Sequence, residues 1–366
     1  GGYAQRLAGY PERAGRTRSL GRPARVVIVP QFEASGPQWR PGEGTFLFEI
    51  AQAAREYAGD DAVSVFEVGR DEEPRDWHLR LIDEVLSSGA THVLAQIEAD
   101  PYRTAQRWTW DVLWSQLHPR WDGAFLGLTF DSSWRWLAAQ SRRLARMSDQ
   151  FLLVDICMPM DGVLVRGRPE VGPVNMPVSY ESLARIDEHV AGLPRDVPVS
   201  FIGSLYPDRV AMLDELRAAG IDVAVNPHRS DQTTNLQESR SQLPGYLDYM
   251  AGLARSQMTI NLSQSSAGPY RQLKTRVLEA AAMGCLVLTD DVDRTSRFWE
   301  QGREFEYFSS PGHLAQVIHE YLGDPARLAT AQDLGRRRAR QITVDSFWGG
   351  IDSGLERRGL PGVIRR

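Results

Sequence analysis

Three segments in the second half of the chain place charged and small residues where strands should end and helices begin. In residues 199–209, VSFIGSLYPDR, an apolar strand runs into Gly203–Ser204, and a helix starts near Pro207 and Asp208. Free backbone N–H groups and the helix dipole at such a junction suit a phosphate. Gly203 lets a ligand approach the main chain, and Arg209 can fork onto phosphate oxygens. The same junction also serves as a plain turn. In residues 258–268, MTINLSQSSAG, a strand ends in small polar residues from Ser263 onward. This reads either as an anion-binding loop or as an ordinary polar loop.

The third segment, residues 272–290, is QLKTRVLEAAAMGCLVLTD. Helical spacing over 273–283 predicts a packed face of Leu273, Val277, Ala280, Ala281 and Gly284. A polar face holds Gln272, Thr275, Arg276 and Glu279. Gly284 stands where a helix C-cap belongs. Glu279 is suited to accept two hydrogen bonds from ribose hydroxyls, and Lys274 and Arg276 are suited to neutralise a diphosphate. A surface ion pair between Arg276 and Glu279 at i, i+3 is the alternative. The chain has 42 basic residues, and Lys274 is the one lysine among them.

The elements that must position these residues alternate. Short apolar runs at 25–29, 63–68, 92–96, 124–129 and 151–156 read as strands. Helix-period stretches lie at 46–57, 76–88, 103–116 and 133–147. A second alternation predicts strands at 199–203, 222–225, 258–262, 286–289 and 305–308. Its helices are expected at 209–219, 246–256, 273–283, 311–322 and 325–341, with a last one at 344–357. Such alternation builds parallel β-α-β units. The chain divides on this reading into a flexible leader at 1–22, a first Rossmann-like domain at 23–170, a second at 171–342 and a tail at 343–366. The tail helix should pack back toward the first domain. Ligands bind beyond the carboxyl ends of parallel strands, so two facing sheets would share one cleft.

Bulk properties narrow the class. The chain has 366 residues and a net charge of -5, and no basic stripe suggests nucleic acid. No apolar run is long enough to span a membrane, which leaves peripheral contact with a membrane surface open. Cys157 and Cys285 lie in apolar strand patterns and read as buried free thiols in a reducing cytoplasm, with a disulfide between them as the weaker alternative. Eight of the ten tryptophans, Trp39, Trp77, Trp108, Trp110, Trp114, Trp121, Trp134 and Trp136, precede residue 140. They read as core packing or as an acceptor platform.

Taken in order, the segments resemble the bacterial spore-maturation-type (CgeB-like) glycosyltransferases, relatives of the family-4-like GT-B group. The motifs FxGSxxxxR, SxxxxNxS and LKxRxxEAxAxGCxxLTD read here as residues 201–209, 256–263 and 273–290. The run Asp131…Trp134-Arg135…Ser148…Asp155 resembles the family's first half. The likeness covers roughly residues 120–340. It implies a GT-B fold, two doubly wound Rossmann-like domains facing a central cleft, with the nucleotide in the second. It implies ribose binding by Glu279 and diphosphate contacts from Arg209, Lys274 and the Gly203–Ser204 backbone. Family-4 enzymes often carry a second Glu eight positions earlier; here position 271 is Arg.

The expected activity is transfer of a hexose-type sugar from a UDP-, GDP- or TDP-sugar to a small molecule, glycan or protein. No cofactor and no metal is expected, because cations and a helix N-terminus can stabilise a leaving diphosphate. An Asp-x-Asp pair, Asp291 and Asp293, offers a cation site or simply an acidic turn. If transfer inverts configuration, a base is needed; Asp131, His228 and His118 are the candidates, in that order. Two rival readings are a sugar-nucleotide epimerase or hydrolase of the same fold, and a non-catalytic nucleotide-sugar-binding protein. A dehydrogenase is disfavoured, since no G-x-G-x-x-G follows the first strand.

Overall fold

The computed structural model describes residues 5, 7–12, 22–30, 46–69, 72–97, 110–129, 135–156, 171, 175–203, 205, 207–225, 245–264 and 271–363. The strands are β1 (Val26–Val29), β2 (Val63–Val65), β3 (His92–Gln96), β4 (Ala124–Thr129), β5 (Phe151–Asp155), β6 (Val197–Phe201), β7 (Ala224–Val225), β8 (Ser256–Asn261), β9 (Leu286–Thr289) and β10 (Glu306–Tyr307). The α-helices are α1 (Phe46–Ala58), α2 (Pro74–Ser87), α3 (Trp110–Leu117), α4 (Arg135–Met147), α5 (Tyr180–Val190) and α6 (Pro207–Ala218). They continue with α7 (Tyr246–Arg255), α8 (Thr275–Ala282), α9 (Val292–Thr295), α10 (Pro311–Gly323), α11 (Pro325–Ala339) and α12 (Val344–Arg357).

Two five-stranded sheets form, in the orders β2-β1-β3-β4-β5 and β10-β9-β8-β6-β7. Every strand pairing is parallel. Both faces of each sheet are covered, which is why the strands read as continuous apolar runs. In β1, Val27 and Val29 enter one core with α2, α3 and α4, while Val26 and Ile28 enter another with α1 and α12. The second sheet packs α6 and α10 on one face and α5, α7 and α8 on the other.

Three parts of the organisation differ from the sequence reading. Helix α5 is absent from the expected helices; Ser179 caps it, its side chain accepting from Ser182 N. Val171 pairs with Val154 and, like Met176, packs into the first sheet's core although both follow residue 170. Leu7 lies in the expected flexible leader, yet it is buried among the first sheet's core residues, and the Arg120 guanidinium donates to Tyr10 O.

Helix α12 packs on α1 and β5. Phe347, Trp348, Ile351 and Leu355 enter the first sheet's core, and Arg358 donates to Phe151 O. A polar seam joins α1 to α5. Glu49 accepts from Ser179 N at 2.7 Å, and Glu56 accepts from the N–H groups of Tyr180 and Glu181 at 2.7 and 3.0 Å. Carboxylates at a helix N-terminus complement its unpaired donors and dipole.

Candidate functional site

In the second sheet, β6 is flanked by β7 on one side and β8 on the other, so the chain switches direction between β6 and β8. Open parallel sheets bind ligands beyond the strand ends at such a switch. Gly203 follows β6 and Ser263 follows β8. The site is therefore built where topology opens the sheet.

Gly203 has φ +152°, and a Cβ there would lie 2.6 Å from Arg276 Nη2. The backbone angle favours glycine, and a side chain there would push the tip of the Arg276 guanidinium aside. Arg276 stands in the first turn of α8. Its guanidinium carbon is 5.9 Å from the centroid of the Phe201 ring, and that of Arg209 is 5.8 Å from the same ring. Phe201 is fully buried and Arg209 is 8% exposed. Two cations thus flank one phenyl ring at the end of β6, an arrangement that favours an anion between or beside them.

The loop after β8 is braced from β9. Ser263 N donates to Asp290 Oδ1 at 2.8 Å, Gln272 N donates to Ser263 O at 3.0 Å, and the Arg271 guanidinium donates to Asp290 O. Gln264 and Arg271 form an antiparallel bridge. Arg271, the residue at the position where the resemblance expects a carboxylate, thus closes the base of this loop. Among the described residues, Ser263 Oγ and Arg276 Nε are buried with no hydrogen-bond partner, and leaving such groups unmet is costly.

Helix α8 begins later than the periodicity predicts. Lys274 is its N-cap, in extended conformation, and Gln272 and Leu273 precede it. Gly284 follows the C-cap residue with φ +73°, the left-handed position that closes a helix. Glu279 is 5% exposed, so it is not half of a surface ion pair. Tyr246 Oη donates to its Oε1 at 2.8 Å and Tyr249 Oη to its Oε2 at 2.7 Å. Burial pushes the Glu279 carboxyl above the ordinary carboxylate range, opposed by the two phenol hydrogen bonds and by Arg276. The tyrosines escaped the sequence reading. Their signal was an i, i+3 pair of hydroxyl-bearing rings at the start of α7, but nothing local ties them to a residue 30 positions later.

The remaining candidates fall elsewhere. Ser204, Asp131 and His228 lie outside the described residues, as do Cys157, Trp39, Trp108 and Trp134. His118 follows α3 and precedes β4, at the amino end of the first sheet and away from the strand ends that bind ligands; it lies 5.5 Å from the Trp114 ring. Trp77, Trp110, Trp114 and Trp121 are buried in the core, so none of these four forms a platform. Asp291 caps α9, and Arg294 Nη1 donates to both its oxygens at 3.1 and 3.2 Å. Both side chains are buried. Among the described residues no cluster of three His, Cys, Asp or Glu side chains could hold a metal ion. Cys285 is a buried free thiol, pushed up to about 12 by burial. A cavity of 440 Å³ lined by Arg195, Met283 and Arg336 lies at the C-terminal end of α8, away from this site. There Arg195 is committed to the carbonyls of Ser256, Met283 and Gly284.

Among the described residues, no helix is long and apolar enough to cross a membrane. Residues 197–346 match a family model described as Glycosyl transferase-like. No curated protein matches the chain by sequence. Solved structures do resemble it. Anabaena HepE in complex with UDP-glucose aligns with a TM-score of 0.59 and 12% identity, over 91% of this chain and 99% of that one. T4 phage BGT with its UDP-glucose substrate gives 0.51 and 9%, over 92% and 100%. A provisional UDP-N-acetylglucosamine 2-epimerase from Listeria monocytogenes gives 0.52 and 9%, over 93% and 100%. At these identities the likeness concerns the fold, which is GT-B: two Rossmann-like units, each on a parallel five-stranded sheet.

Proposed function

We propose that this chain is a glycosyltransferase that moves a hexose-type sugar from a nucleoside-diphosphate donor, in the cytoplasm and without a metal. The observation that carries the reading is the meeting of Gly203, Arg209 and Arg276 around Phe201, with Glu279 one turn further along α8. All lie within the matched residues 197–346. On this reading Arg209, Arg276, Lys274 and the Gly203–Ser204 backbone hold the diphosphate. They stabilise the charge that grows on it as the glycosidic bond breaks. Ser263 donates to the same anion, and Glu279 holds the ribose. Should transfer invert, Asp131 or His228 takes the acceptor proton. The first sheet's unit then supplies the acceptor side, with α12 as a strap across from the second half.

A thermal-shift screen against UDP, GDP, TDP, CDP and ADP tests it. UDP comes first, because it is the nucleotide in the resembling complexes. A ligand at a hundred times its dissociation constant stabilises by about 2.7 kcal/mol. No shift with any of the five overturns the proposal.

The likeness to the Listeria epimerase-type protein favours one second reading, a sugar-nucleotide epimerase or hydrolase on the same scaffold. Consumption of the donor sugar nucleotide with no acceptor present would select it.

A further inference from the structure

We propose that Tyr246 and Tyr249 are positioning residues of the nucleotide site, which fix Glu279 so that it selects a ribose over a deoxyribose. The inference rests on the nucleotide-binding reading above and deepens it. Both rings project from the first turn of α7, three residues apart, and stack with centroids 5.9 Å apart and planes 20° from parallel. Each hydroxyl donates to a different oxygen of one carboxylate.

The geometry divides the carboxylate evenly. An ionised carboxylate offers about four acceptor positions, two on each oxygen. Each oxygen of Glu279 spends one on a phenol. One acceptor position then remains on each, and the pair of O–H···O bonds fixes the plane of the carboxylate and so the direction of both. Glu279 is itself 5% exposed, which leaves little water to fill those positions. Two hydroxyls on adjacent carbons can donate to the two oxygens together. A sugar lacking one of them leaves a buried acceptor unmet, and sites built for a hydroxyl reject analogues without it. Arg276, one turn earlier on the same helix, places the diphosphate end of the ligand beside Gly203. The site therefore takes a ribonucleoside diphosphate, UDP or GDP in preference to deoxythymidine diphosphate.

Tyr→Phe substitution keeps each ring and removes only the hydroxyl. Dissociation constants for UDP, GDP and their 2′-deoxy and 3′-deoxy forms would be measured by calorimetry on the full chain, as wild type, Tyr246→Phe and Tyr249→Phe. The wild type should prefer the ribose form at least about tenfold over either deoxy form. Each Phe variant should bind the ribonucleotide about tenfold more weakly and the deoxy forms as before, so that the preference collapses. A purely structural pair would leave that ratio untouched. The proposal is overturned if folded Phe variants keep the wild-type ratio. It is equally overturned if either variant binds the ribonucleotide more tightly, since the phenols would then be competing with the sugar. If the Phe variants do not fold, the wild type decides alone: equal affinity for ribose and deoxy forms overturns the inference while nucleotide binding stands. A wild type that binds neither UDP nor GDP in any form overturns the inference at its foundation.

Discussion

The two sheets share a fold and fill it differently. The first buries aromatic bulk: Trp77, Trp110 and Trp114 with Phe125 and Phe151, a run of ring contacts 5.2–5.7 Å apart. The second packs α8 with three consecutive alanines, Ala280–Ala282, and buries Arg209, Glu279, Asp291 and Arg294 near its strand ends. Ring packing stabilises through apolar area and dispersion and needs no partner outside the protein. Buried charge costs desolvation, and part of that cost is returned when a ligand completes its hydrogen bonds. One half is held by ring packing, and the other sets buried charged groups near its strand ends.

That contrast can be broken by substitution. Trp114→Ala should cost about 3–5 kcal/mol of stability, measured by urea unfolding, and leave the nucleotide affinity of the folded fraction unchanged. A loss of affinity would mean that the halves are not separable. Glu279→Gln should do the reverse. It removes hydrogen bonds to a charged acceptor, about 1.5–3 kcal/mol of nucleotide binding, while the ligand-free protein is stabilised, because burial disfavours the charged carboxylate. Calorimetry and melting curves on the same sample check both signs. Gly203→Ala imposes a side chain on a backbone at φ +152° and pushes the Arg276 guanidinium aside. It should destabilise by about 1–3 kcal/mol and weaken nucleoside diphosphates more than nucleosides.

The pH dependence sharpens the same point. Because burial raises the Glu279 carboxyl, its contribution to stability is full below the ordinary carboxylate value and is lost as pH rises through the folded one. Lowering the pH from neutral toward the ordinary carboxylate value should therefore favour the ligand-free fold at this residue while weakening nucleotide binding. Glu279→Gln should flatten both trends. At the small end, Arg217→Ala breaks an exposed pair with Asp214, 67% and 60% exposed. It should change stability by less than about 0.5 kcal/mol.

How much the sequence disclosed follows the same division. Strands buried on both faces announce themselves as apolar runs, and β3, β4 and β9 fall where their residues predict. Residues tied to their neighbours in sequence, such as Gly203 before α6 or Gly284 after α8, were legible from type and position. Helix α5 was not, because part of its N-terminal capping comes from Glu49 and Glu56 on α1, 130 and 124 residues away in sequence. The Tyr246–Glu279–Tyr249 arrangement and the shared Phe201 ring were illegible for the same reason. Tyr246, Tyr249 and Glu279 meet across 33 and 30 residues, and Arg276 reaches the Phe201 ring from a distant helix, contacts created only when β6, α7 and α8 are folded together.

The solitary lysine has a practical consequence. Forty-one of the 42 basic side chains are guanidinium groups that amine-reactive acylating reagents leave alone; Lys274 is the exception, and it caps the helix that carries Arg276 and Glu279. Acylation of this chain is thus a single-residue chemical footprint, read by mass spectrometry as one modified peptide beside the N-terminal amine. A bound nucleotide that covers the start of α8 should register as slowed labelling at that one position, with no mutation, no acceptor and no knowledge of the sugar.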